Sequence, residues 1–126
     1  MVSQSRALRI SQRIKEDLAE LLLYEVSDPR LAGVFITYVK VDRELSFASV
    51  FISALEGVER ESEIIEGLSH AAGFLRRKLA QSIDIRSFPQ LRFNWDPIPE
   101  NAERVDKILS KLKSESEENN EPGNSN

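Results

Sequence analysis

The sequence contains no cysteine. That excludes disulfides, thiolate metal ligands and a cysteine nucleophile, and it fits a reducing compartment. Histidine occurs once, at His70, with no second histidine at metal-binding spacing. No metal site is expected, and His70 reads as an exposed or partly packed helix residue. No apolar run approaches the roughly 18–20 residues that cross a bilayer. The opening MVSQSRALRIS lacks the apolar core of a signal peptide. A cytoplasmic protein that does not engage membranes is expected. The glycine and serine patterns of nucleophile elbows, phosphate loops and dinucleotide folds are also absent. No residues support catalysis, so neither an enzyme nor a cofactor is expected.

At 126 residues the chain suits one domain, and its 40% hydrophobic and 30% charged residues are ordinary for a globular fold. The formal charge of −4 argues against nucleic acid, since phosphate affinity comes largely from Lys and Arg. The total is misleading. Residues 114–126 carry four acids and no base, which leaves 17 bases against 17 acids in residues 1–113. The arrangement of charge therefore matters more than its sum. Residues 114–126 have no apolar side chain and read as a disordered acidic tail, with the domain at 1–113.

Ser3 or Ser5 can cap a first helix running to about Tyr24. Ala7, Ile10, Ile14, Leu18, Leu21 and Leu22 form its apolar face. Arg6, Arg9 and Arg13 fall within about 60° of one another on the opposite face. Asp28-Pro29 marks a boundary, because the residue before proline leaves the helical region. VFITYVKV after Gly33 and SFASVFISA after the DREL turn alternate as an antiparallel hairpin. Residues 59–83 read as helix, with Gly73 inside it. Pro89 precedes a third strand in which Leu91, Phe93 and Trp95 oppose Arg92 and Asn94. A last helix over about 101–112 aligns Ala102, Val105, Ile108, Leu109 and Leu112. Three strands cannot hide both faces, so helices on one face give a two-layer α+β domain whose other sheet face is open.

Charge is polarised along the second helical stretch. Five acids and one base occupy 56–66, whereas Arg76, Arg77, Lys78, Arg86 and Arg92 face one acid, Asp84, in 76–92. Complementarity to the helix dipole explains such a gradient as well as ligand binding does. Arg13 can likewise simply pair with Asp17 one turn on. Gly73 has three readings: close packing, a cap between two helices, or a bend.

The segments SDPRL (Asp28-Pro29-Arg30), DRELSFASVFIS, AAGFLRRKLA and IRSFPQLRFNWD, in this order, resemble the bacterial ribosome-binding factor A family from about Ser5 to Leu112. The resemblance implies a K-homology-like domain of the second type, α-β-β-α-kink-α-β, with a C-terminal helix added. It implies a factor that binds the small (30S) ribosomal subunit late in maturation, assists 5′-end processing of 16S ribosomal RNA, and serves in cold adaptation. K-homology domains clamp nucleotides with Gly-x-x-Gly. This chain has none, and carries Ala71-Ala72-Gly73 where the family has an interhelical kink. Gly73 then reads as the bend, with Ala71, and Arg76-Arg77-Lys78 as cations aimed by it.

The expectation is a monomeric, non-enzymatic assembly factor. Its partners would be the small subunit and 16S RNA, and other assembly factors such as ribosome-associated GTPases. Contact residues would be Arg76, Arg77, Lys78, Arg86 and Arg92, with Arg6, Arg9 and Arg13 second. The alternative is a protein-interaction module using the open sheet face or the acidic helix start.

Overall fold

The structure, a computed structural model, describes residues 1–97. The expected last helix, the tail and the boundary at residue 113 lie outside them. Helix α1 (Gln4–Tyr24) begins where the Ser3 side chain accepts the Arg6 amide at 3.0 Å. Its stripe Ala7, Ile10, Ile14 and Leu18 is buried. The chain leaves the helix at Glu25, and Asp28 takes an extended conformation (φ −98°, ψ 117°) ahead of Pro29. Asp28 caps the short 3-10 turn Pro29–Leu31 through the Arg30 amide.

Strands β1 (Val34–Val41) and β2 (Phe47–Ala54) pair antiparallel, with a register shift between Ile36 and Tyr38. That bulge puts Ile36 and Val39 on the same face although they are three residues apart. Asp42 fixes the hairpin turn by accepting the amides of Ser46 and Phe47 at 2.9 and 2.8 Å. Helix α2 (Glu61–Ser82) then crosses over, and β3 (Gln90–Trp95) pairs parallel with β2, so β2 is central. A parallel neighbour requires such a crossover.

Both helices cover one sheet face. Ile14 and Leu18 of α1, and Ile64, Leu68, Leu75 and Leu79 of α2, share one core with Val39, Ala48, Val50, Ile52 and Ala54. On the other face Tyr38 is 51% exposed. The two-layer α+β architecture, the hairpin and the open face agree with the sequence reading.

The division of the second helix does not. α2 runs uninterrupted through Gly73, so the expected α-kink-α order is one helix in the structure. Gly73 has no positive φ, and a Cβ there would touch only the Arg77 guanidinium, at 3.4 Å. Ala71, Ala72 and Phe74 carry the helix on either side. The buried stripe also keeps its phase: Leu68 and Leu75 lie about 700° apart, within about 20° of two full turns. The crowded glycine is Gly67. A Cβ there would lie 3.0 Å from Leu31 Cδ2 and 3.4 Å from Arg30 Cβ. Gly67 lets α2 close on the 28–32 loop.

Candidate nucleic-acid interface

The basic candidates divide by what already holds them. Arg76 is a half-buried tie. Its Nε donates to the Pro89 carbonyl at 3.1 Å and its Nη2 to the Phe88 carbonyl. It fastens the loop before β3 to α2, so the expectation that it projects toward a ligand is corrected. Lys78 reaches Glu25 Oε1 at 3.3 Å and lies 5.9 Å from the Phe74 ring centre. Arg13 pairs with Asp17 at 3.1 Å and donates to the Ser82 carbonyl at 2.9 Å. It therefore joins α1 to the C-terminal end of α2, where a cation meets the negative end of the helix dipole.

Arg77 is different. It is exposed and makes no ion pair or side-chain hydrogen bond among the described residues. Consecutive helix positions are about 100° apart, so Arg76 can turn in and Arg77 out. Arg6, Arg9 and Arg86 are also exposed with no ion-pair partner among the described residues. The Glu25–Lys78 and Arg13–Ser82 contacts tie the C-terminal half of α2 to α1. Arg92 stands apart on the open sheet face, its guanidinium carbon 3.4 Å from the Phe47 ring centre.

Three of the eight candidates thus serve the fold, four have no side-chain partner among the described residues, and one is stacked. The groove between α1 and α2 does not suit phosphate, because Asp17, Glu20 and Glu25 line it with Arg13 and Lys78.

The acidic start of α2 is bound internally. Arg60 reaches Glu56 and Glu63, each at 3.2 Å, and the carbonyls of Ala32 and Arg30 at 2.6 and 2.8 Å. Arg30 is held by Asp28 at 2.7 Å and Glu66 at 3.0 Å, with His70 Nδ1 at 3.1 Å. The Arg30 side-chain hydrogen bonds, joined by its backbone amide, hold the Asp28 carboxyl below its usual value. Sequence reading missed this network. Its one local signal is Asp28-Pro29-Arg30, while Glu66 and His70 are 36 and 40 residues from Arg30. With Glu56, Glu63 and Glu66 occupied, the acidic start offers a partner less than its composition implies.

Among the described residues no helix is long and apolar enough to cross a membrane. The sequence profile of the ribosome-binding factor A family matches residues 6–109. The ribosome-binding factor A of Nitrosomonas europaea is 40% identical over 105 residues, 83% of this chain and 90% of that protein. The crystal structure of ribosome-binding factor A from Thermus thermophilus superposes with a TM-score of 0.64 at 27% identity, covering 71% of this chain and 93% of that one. A homology model of the Thermus thermophilus factor, fitted into the cryo-EM map of a 30S complex, gives a TM-score of 0.55 at 29% identity, over 66% and 87% of the two chains.

Proposed function

We propose that this chain, which belongs to the ribosome-binding factor A family, binds the small ribosomal subunit as an assembly factor. The observation that carries the reading is the family match across residues 6–109, joined by a relative fitted on the 30S subunit. Docking is electrostatic. Exposed cations with no ion-pair partner among the described residues, Arg77 first and then Arg86, Arg9 and Arg6, meet phosphates by position rather than by reading bases. The Arg60- and Arg30-bound acidic start of α2 stays away from phosphate and orients the approach.

The factor acts without catalysis and needs no cofactor. It works as a cytoplasmic monomer late in subunit maturation, assists 5′-end processing of 16S RNA, supports growth in the cold, and meets other assembly factors such as ribosome-associated GTPases. The fold is read as K-homology-like of the second type. Cosedimentation tests the central claim. The protein should travel with free small subunits at low salt and leave them as salt rises. A protein that stays at the top of the gradient at low salt would overturn it.

A further inference from the structure

The open sheet face has a composition unlike the rest of this acidic protein. Register alone decides which residues share it. Tyr38 pairs with Phe51, Lys40 with Ser49, Ser49 with Arg92, and Phe47 with Gln90. Tyr38 and Phe51 form one aromatic station, their ring centres 5.9 Å apart and tilted by 43°. Phe47 and Arg92 form a second, with the guanidinium 3.4 Å above the ring. Phe47 and Phe51 are four strand residues apart, about 13 Å. Each station can therefore receive its own flat group.

Charge on this face points to the same kind of ligand. Lys40 and Arg92 are exposed there. No carboxylate stands among the outward residues of the three strands. Of the acids at the borders, Asp42 is occupied by two backbone amides, Asp96 accepts from Thr37, and Glu44 lies in the hairpin turn. An Arg plane already stacked on one side presents its other face to a second π-system, and rings accept any base because every base has a π-face. Cations flanking rings are the arrangement that holds unpaired bases while neutralising the backbone between them.

We propose that this face is a stacking platform for a single-stranded segment of ribosomal RNA. One base lies on Tyr38 and Phe51, another on the Arg92–Phe47 stack, and Lys40 meets phosphate between them. The proposal rests on the reading above only in naming ribosomal RNA as the source of the strand. It adds a second surface, across the sheet from α2 and chemically distinct from Arg77.

The test uses the full chain and a fluorescein-labelled single-stranded RNA of eight nucleotides, followed by anisotropy. An eight-base-pair RNA duplex is the control, since its bases are stacked internally. Tyr38→Leu and Phe47→Leu keep apolar bulk and remove the ring, while Arg92→Lys keeps charge and removes the plane. Thermal melting checks that each is folded. Each ring variant should weaken single-strand binding roughly five- to a hundredfold, with the salt dependence unchanged. Duplex affinity should hold. Lys40→Ala should instead lower the slope of log affinity against log salt for the strand by about 0.7, and Arg77→Ala, on the other surface, should leave it unchanged. Folded ring variants that bind the strand like the parent overturn the platform, even where the parent still sediments with small subunits. Ring variants that lose subunits but keep the strand also overturn it, in favour of a protein partner on this face. A parent that binds the strand but never sediments with subunits refutes the proposed function and leaves the stacking chemistry standing.

Discussion

Helix α2 contains two glycines whose surroundings are opposites. Gly67 is buried against Leu31 and Arg30, whereas Gly73 is exposed with only the tip of Arg77 near it. They are six residues apart, about 240° around the helix. The halves they sit in differ likewise. Around Gly67 the cations Arg30 and Arg60 are locked to acids and carbonyls, and α2 is bound to the 28–32 loop. Around Gly73 the helix is bare outward, and one turn on Arg77 has no partner among the described residues. The first half is committed to the fold. The second presents a surface, with Arg76, Lys78 and Ser82 the exception that turns back to the fold.

The largest expected effect tests that exception. Arg76→Ala removes two hydrogen bonds to the carbonyls of Phe88 and Pro89, residues that are themselves buried. A charged donor lost from buried acceptors costs about 1.5–3 kcal/mol. Urea unfolding should show a loss of that size. A loss under about 0.5 kcal/mol would mean that the loop before β3 holds without the tie. Replacing Arg76, Arg77 and Lys78 together is therefore a poor test of binding, because it also damages the fold.

The two glycines should respond to alanine with opposite signs. At Gly73 the backbone is helical and the space is open, so Gly73→Ala should stabilise by about 1 kcal/mol through helix propensity. This reverses the sign that a kink requires. At Gly67 the same gain meets a methyl 3.0 Å from Leu31 Cδ2 and 3.4 Å from Arg30 Cβ. Overpacking costs about 1–3 kcal/mol, so the net should be a loss of about 1 kcal/mol. Urea midpoints moving the same way would erase the comparison between the halves.

A smaller effect is read against pH. The folded Asp28 carboxyl titrates below 3.8, chiefly through the Arg30 side chain. Glu56 titrates below 4.5, through its own backbone amide and then Arg60. A depressed folded pKa contributes stability that is fully present above the unfolded value and lost as pH falls through the folded one. Stability should therefore drop as pH is lowered below about 4.5, continuing under 3.8. Asp28→Asn should be less stable at neutral pH and show a shallower acid decline. Parallel declines would mean that Arg30 does not hold Asp28 in solution.

Much of this was legible in the sequence, and the limits are physical. The period-2 alternation of Ala48, Val50, Ile52 and Ala54 identifies the buried strand face, and Asp28-Pro29 identifies a chain turn. Helical angles put Arg77 outward, away from Leu75 and Leu79. What one helix does was legible; what it meets was not. Arg76 is tied by carbonyls 12 and 13 residues away, and only the fold brings them back. Composition cannot separate a glycine pressed by Leu31 from one facing outward. The unbroken phase of Ile64, Leu68, Leu75 and Leu79 was available, however, and it argued against a second helix after Gly73. The stacking face needs the bulge near Thr37, because simple alternation would put Tyr38 on the same side as Ile36.

The smallest expected change in stability carries the largest meaning for binding. Arg77→Ala removes an exposed side chain with no partner among the described residues, so its unfolding midpoint should stay within about 0.5 kcal/mol of the parent. If Arg77 meets a phosphate, affinity for small subunits should fall, and the slope of log affinity against log salt should decrease by about one unit. Lys78→Ala is the matched control. It removes the same formal charge from the neighbouring position, but that charge already faces Glu25 at 3.3 Å. The two variants are equal in net charge and differ in whether the lost cation was free to reach a ligand. Sedimentation across a salt series should separate them, with Arg77→Ala losing more affinity and more slope. Equal losses would mean that the subunit senses only overall charge. The outward half of α2 would then be an ordinary solvated surface, and the contrast with the Gly67 half would be one of packing alone.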